Sequence, residues 1–346
     1  MTSPAPRRPW ASALRALVTV ASLGLAVWAI AHLFEGEDFR DVTVRLRRAS
    51  PAGVLLASGF VLLHLFLWAF RWKLAIRRID PTPRRRVIYS ALAAAASVNL
   101  VAPFARVLGG LLRARYLARD GRRTLGEFLG VVLFDQWMHG VVMGLLTAGA
   151  LIFSAAVGHR YELAASLAIG ILAVAFALHL WSLMRTRDAA AWAARFAESS
   201  WAGRWPLRAL KRHGQDTLAT FSKLLSDDRL RLASWALGLG VFFAAASAQA
   251  AAFWALGETP RPLVVCVTVA LGAAVGTLAT TPGGVGVTEA SMIALFVWLG
   301  VDRVTAAAAA LLYRSVYYAV VLVTGMPSLL VLEWAQIRDR RQARRS

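Results

Sequence analysis

Residues 280–298 read TTPGGVGVTEASMIALFVW, between apolar runs long enough to lie in a membrane. A proline, three glycines and a glutamate at that depth need a physical reason. Pro282 ends one half-helix, Gly283, Gly284 and Gly286 let the chain reverse tightly, and Thr288 with Glu289 opens the next, where the carboxylate complements the helix dipole. Irregular backbone survives in hydrocarbon only where protein or water satisfies its polar groups, so the pattern predicts a re-entrant turn facing a cavity or the protein interior. The alternative is a short outer loop between two ordinary helices. Against it stand the lack of Lys or Arg in the loop and flanking apolar lengths of only about 18 and 12 residues.

The rest of the chain fits a membrane solvent. It is 58% hydrophobic over 346 residues, with mean hydropathy +0.56 and repeated apolar runs of about 20 residues. These features predict an all-α polytopic membrane protein, one integral domain over 1–346. Six full spans are expected at 12–34, 52–70, 125–153, 163–184, 232–256 and 304–332. Two interrupted stretches, 87–112 and 263–300, are expected to form re-entrant helical hairpins. The first span follows Arg7, Arg8 and Arg15 as a secretory signal would, but it runs too long for a cleaved signal's apolar core. Cys266 is the lone cysteine and reads as a small buried hydrophobe. The histidines His32, His64, His139, His159, His179 and His213 lack metal-ligand spacing, so no metal and no cofactor is expected.

The formal charge of +20 invites a nucleic-acid reading, which its distribution argues against. With both interrupted stretches re-entrant, the segments 1–15, 71–86, 113–123, 185–231 and 333–346 share one face and hold 30 of the 39 Lys and Arg residues. The opposite face holds 7, leaving Arg106 and Arg314 at membrane depth. Such an excess predicts a cytoplasmic (inner) membrane protein with both termini cytoplasmic. The basic runs, including Arg84, Arg85 and Arg86, then fix orientation and attract anionic lipids. In 185–231, Leu207, Leu210, Leu218, Phe221 and Leu225 recur at helical intervals. That segment is expected along the inner leaflet, with Trp192, Phe196, Trp201 and Trp205 at the interface, or else as a solvated hairpin.

This topology divides the chain into two halves of opposite orientation, 1–153 and 163–332, each with three spans and one hairpin. Pro103 precedes Asp135 by 32 residues and Pro282 precedes Arg314 by 32, placing a charged residue in each following long helix. Inverted repeats with broken helices meeting near the midplane are a transporter architecture.

The segment PGGVGVTEA, followed by AAAALLYRSVYYAVVLVTG, resembles the lysylphosphatidylglycerol synthase transmembrane-region family, also described as flippase-like. The earlier NLVAPFARVLGGLLRARYL is similar to that family's Asn, Pro and Gly-Gly pattern with trailing arginines. The resemblance covers most of the chain. It implies an integral membrane protein related to the lipid-translocating half of the bacterial multiple peptide resistance factor. Family members often carry a Glu-Arg pair and a later Asp in the helix after the first hairpin, where this chain has Asp135, Gln136 and His139. The family's aminoacyl-transferring domain is not expected after the last span, so no lipid-modifying enzyme activity is inferred.

Arg106, Glu127, Asp135, Glu289 and Arg314 fall inside apolar stretches, where a charge costs at least about 2.5 kcal/mol unless paired or hydrated. Glu127, near a membrane end, can snorkel. The expectation is that Arg106 and Arg314 attract an anionic lipid head group while Asp135 and Glu289 balance the empty site. Asn99, Thr280, Thr281 and Tyr313 would line the same cavity with the hairpin residues Pro103, Pro282, Gly283, Gly284 and Gly286. The alternative is a set of ion pairs that fasten the halves. His139 lies one turn after Asp135, a spacing that allows proton carriage. Gly272 and Gly276 have the spacing for close helix contact. The function expected is a lipid flippase or lipid transporter with anionic membrane lipids as partners. A membrane-embedded transferase would need a catalytic cluster that the sequence lacks, and a structural or regulatory membrane partner would need no cavity.

Overall fold

A computed structural model describes residues 37–101, 105–157, 207–278 and 284–343. These residues form ten helices and no strand: α1 Glu37–Arg47, α2 Pro51–Ile79, α3 Arg85–Val101, α4 Ala105–Asp120, α5 Leu125–Val157, α6 Leu207–Leu225, α7 Asp228–Ala255, α8 Pro262–Leu278, α9 Val287–Trp298 and α10 Arg303–Ala343.

Four of them are long and apolar enough to cross a bilayer: α2, α5 over Leu125–Phe153, α7, and α10 over Arg303–Ala335. They coincide with the expected spans at 52–70, 125–153, 232–256 and 304–332. The expected spans 12–34 and 163–184 lie outside the described residues. Local chemistry sets the boundaries. Pro51 starts α2 where its missing N–H costs nothing, and Arg77 and Arg78 occupy the last turn, favourable for the dipole. Asp227 caps α7 by accepting from Leu230 N at 2.9 Å. Thr124 and Glu127 form a reciprocal capping box on α5, Thr124 N donating to Glu127 Oε2 at 2.8 Å and Glu127 N to Thr124 Oγ1 at 3.2 Å. Glu127 thus has a local role at a helix end.

Close helix approach is built from small residues. α2 and α7 run antiparallel in the most extensive contact among the described residues. A Cβ added at Gly53 would stand 2.5 Å from Cα of Ala255. α10 crosses α3 at Gly325, where a Cβ would meet the carbonyl oxygen of Ala93 at 2.3 Å. Gly272 of α8 abuts Met292 of α9. α6 lays part of its apolar face against α5, where a Cβ at Gly130 would meet Thr217 O at 2.6 Å. The aromatic residues Trp192, Phe196, Trp201 and Trp205 of that expected interfacial segment lie outside the described residues.

The interior divides into two main clusters. One, around α2, α3, α4 and α5, centres on Trp72, Phe128, Phe134 and Met138; the other, around α7 to α10, centres on Phe253 and Phe296, whose rings meet edge to face at 4.9 Å. Ala306 to Ala310 are all fully buried, so α10 is surrounded by packed helices at that level, which small side chains permit on every side. Elsewhere the spanning helices expose Leu55, Phe66, Val323, Leu330 and Trp334, the surface a lipid-facing belt needs. Cys266 is half-buried and packs on the second cluster.

Candidate functional site

Among the described residues five buried charged side chains sit between the packed helices in two groups, and a sixth, Asp80, lies at the C-terminal cap of α2. In the first, Asp135 of α5 accepts four hydrogen bonds from three residues. Its Oδ1 accepts from Arg71 Nε at 3.0 Å and Arg71 Nη2 at 2.8 Å, and its Oδ2 accepts from Trp68 Nε1 at 3.1 Å and Arg113 Nη1 at 3.3 Å. The Arg113 guanidinium lies 4.9 Å from the Trp72 ring centre and 5.4 Å from that of Trp68. Arg71, Arg113 and Asp135 are 2–3% exposed, so their charges are compensated by one another and by the indoles rather than by water.

In the second group, Glu289 of α9 accepts from Gly286 N at 2.7 Å, Arg314 Nε at 2.6 Å and Tyr318 Oη at 3.0 Å. The bond from Gly286 is the backbone half of a capping box, the half a glycine can supply. Arg314 also donates to Tyr318 Oη and lies over its ring. Gly284 and Gly286 have φ of 70° and 83°, left-handed values that only glycine adopts freely, so the turn entering α9 is closed by residues suited to it. An aromatic row joins the groups: Tyr317 beside Arg314, then His64, then Trp68 on Asp135, with ring centres 6.3 and 6.5 Å apart.

The expected pairing of charges is thus met in part. Glu289 and Arg314 meet directly. Asp135 is balanced by Arg71 and Arg113, which the charge count had assigned to the connecting segments 71–86 and 113–123. That assignment is corrected: each is buried because its helix continues past the apolar run, α2 for eight residues beyond Arg71 and α4 for seven beyond Arg113. Without these two, the segments expected on the inner face still hold 28 of the 39 Lys and Arg residues. His139 lies one turn beyond Asp135 on α5. Tyr313 is buried beside Tyr317 in the α7–α10 cluster, and Tyr318 takes the place at Arg314. Asn99 packs against Gly109, with its Oδ1 buried and without a partner among the described residues. Pro103, Thr280, Thr281, Pro282 and Gly283 lie outside the described residues, as does the Arg106 side chain. Among the described residues no three His, Cys, Asp or Glu side chains are grouped to hold a metal.

Two residues missed by sequence reasoning had a readable signal. Tyr318 stands four residues after Arg314, the spacing of helical neighbours, and Trp68 three before Arg71.

Residues 18–325 match the family described as lysylphosphatidylglycerol synthase TM region. Two curated relatives are each called "UPF0104 membrane protein" and come from Methanothermobacter thermautotrophicus. One is 23% identical over 301 residues, spanning 84% of this chain and 88% of the relative. The other is 23% identical over 308 residues, spanning 83% and 86%.

Proposed function

Because the chain belongs to the lysylphosphatidylglycerol synthase TM-region family and is a multi-pass integral membrane protein, we propose that it moves an anionic lipid head group between leaflets. The observation that carries this reading is the matched placement of the two buried charge groups. Asp135 stands ten residues into α5 and Arg314 eleven into α10, so each lies roughly 15 Å from the start of a helix long enough to span. A protein that only needed fastening would gain more from apolar contacts, since buried ion pairs are often no better than hydrophobic replacements.

The hairpin reading supports the same route. α8 and α9 have 17 and 12 residues, and α3 and α4 have 17 and 16, shorter than the about 20 a full crossing takes. α3 packs on α10 while α8 packs on α5, so each pair leans on the long helix of the other half. Two inverted halves in the cytoplasmic membrane, with cytoplasmic termini and each hairpin entering from its own face, account for this exchange and for the basic inner face. On this reading the buried groups are the closed state of a path, and passage requires α4 or α9 to part from its carboxylate or guanidinium partner. The chain acts by transport and makes or breaks no covalent bond.

Reconstitution into vesicles with fluorescent lipid in both leaflets is the test. The protein should speed the loss of inner-leaflet fluorescence to an outside quencher, and Arg314→Gln, compared at equal amounts of folded reconstituted protein, should abolish that gain. Background-level exchange across zwitterionic and anionic lipids would discard the reading.

A further inference from the structure

One face of α7 has a polar end and an apolar length. Among the described residues, Asp228, Arg231, Leu232 and Trp235 line an open cleft of about 200 Å³ at the start of the helix. Deeper in the membrane the same helix exposes Leu239 and Phe243, as it does Leu232 in the cleft. The intervals from 228 to 232, 235, 239 and 243 alternate between four and three residues, so cleft and apolar side chains form a single stripe. From Leu232 to Phe243 that stripe rises about 16 Å, the depth of one leaflet's share of a hydrocarbon core about 30 Å thick. α7 is long and apolar enough to cross a bilayer, so a lipid chain is what an exposed stripe of this depth meets.

The polar end carries two opposite charges at different depths. Asp227 is engaged by the protein: it caps α7 through Leu230 N and pairs with Arg78 at 3.1 Å. Asp228 is turned outward, with its side chain 83% exposed, and bonds Arg231, whose side chain is 21% exposed. An ion pair this open to solvent holds weakly, so it can exchange partners with a ligand at little cost. Arg231 stands three residues, about 4.5 Å, deeper than Asp228. A cation below an anion is the complement of an ethanolamine phospholipid head, whose phosphate adjoins the glycerol and whose ammonium projects outward beyond it. A guanidinium suits the phosphate oxygens, and a carboxylate suits the ammonium. A phosphatidylglycerol head would bring its one charge to Arg231 and leave Asp228 without a cation. Trp235, packed on the cluster around Trp72, gives the cleft an amphipathic indole at the level where glycerol esters lie.

We propose that the start of α7 binds one ethanolamine phospholipid, its phosphate on Arg231, its ammonium on Asp228 and one chain along Leu232, Leu239 and Phe243. The lipid belongs to the leaflet on that side, the inner one in the orientation proposed above. This site is apart from the two buried charge groups, and its occupant is a zwitterionic resident rather than the anionic lipid of the transport reading.

Native mass spectrometry of the full-length protein released from maltoside micelles measures the first lipid adduct with dioleoyl-phosphatidylethanolamine and, separately, dioleoyl-phosphatidylglycerol. The wild type should bind the ethanolamine lipid more tightly, by about two- to fivefold. Asp228→Asn should erase that preference. Arg231→Gln and Leu232→Asn should weaken both lipids, and Arg229→Gln, an exposed neighbour off the stripe, should weaken neither. Thermal unfolding of each variant checks that it folds; if Arg231→Gln does not, Asp228→Asn decides, since its side chain stands mostly in solvent. Phosphatidylglycerol bound as tightly as phosphatidylethanolamine by the wild type, or a preference that survives Asp228→Asn, overturns the site. So does a loss at Arg229→Gln equal to that at Arg231→Gln, which would reduce the effect to general surface charge. Lipid exchange by the wild-type protein in vesicles is scored apart, so the transport reading stands or falls independently.

Discussion

Arg314 closes on Glu289 across the junction of α9 and α10, Nε to Oε1 at 2.6 Å, and the same carboxylate caps α9 through Gly286 N. One side chain therefore both neutralises the guanidinium and orders the turn that enters α9. Either residue alone, truncated to a neutral amide, leaves the other a buried unpaired charge, at a cost of about 3–5 kcal/mol. Glu289→Gln and Arg314→Gln should each lower the thermal midpoint in detergent. The double variant should recover part of the loss, and strict additivity in that cycle would show that the pair is not coupled.

The first charge group predicts an asymmetry. Asp135→Asn strands two guanidinium groups, whereas Arg113→Gln leaves Arg71 and Asp135 as a neutral pair. The aspartate substitution should therefore be the more damaging, by about 3–5 kcal/mol against a smaller loss for the arginine. Denaturant titration ranks them. Equal losses would place the stabilisation in Arg113 and its indole contacts instead.

How much of this was legible follows from where each residue sits. The four long helices are readable because about 20 apolar residues in sequence have one stable form in hydrocarbon. The Glu289–Arg314 pair is readable because each residue interrupts an apolar run. Arg71 and Arg113 are not, since each stands at the edge of a run with further basic residues close behind: Lys73, Arg77 and Arg78 after one, Arg115 and Arg119 after the other. Counting rules assign such arginines to the loop. Only the tertiary packing of α2, α4 and α5 around Asp135 reveals that they turn inward.

Glycine substitutions test the packing. Gly325→Ala would drive a methyl into the Ala93 carbonyl oxygen and Ser97, prising α10 from α3 at a cost of about 1–3 kcal/mol. Among the described residues Gly149 on α5 meets nothing within 4 Å, so Gly149→Ala should be neutral or gain up to about 1 kcal/mol from helix propensity. Unfolding midpoints of the two variants side by side provide the check, and a matching loss at Gly149 would mean that its face is covered.

Acid should loosen the connections between helices. Burial works to raise the Asp80 carboxyl, but the Thr82 hydroxyl and amide, the Arg122 amide and nearby Arg123 outweigh it and hold the group below its ordinary value. Asp302 is held down first by the Thr305 amide, then by the Thr305 hydroxyl and Arg45, against a smaller cost of burial. A carboxyl depressed in the folded state contributes stability that is complete above its unfolded value, about 3.9, and fades as pH falls through the folded one. Stability should accordingly be flat on this account from neutral pH to about 5 and decline below about 4. Asp80 ties the α2–α3 connection to the α4–α5 connection through Arg122, so that end should gain hydrogen exchange first. Asp80→Asn and Asp302→Asn should be less stable at neutral pH and lose less on acidification. Variants that keep the wild-type slope would assign the acid sensitivity to other groups.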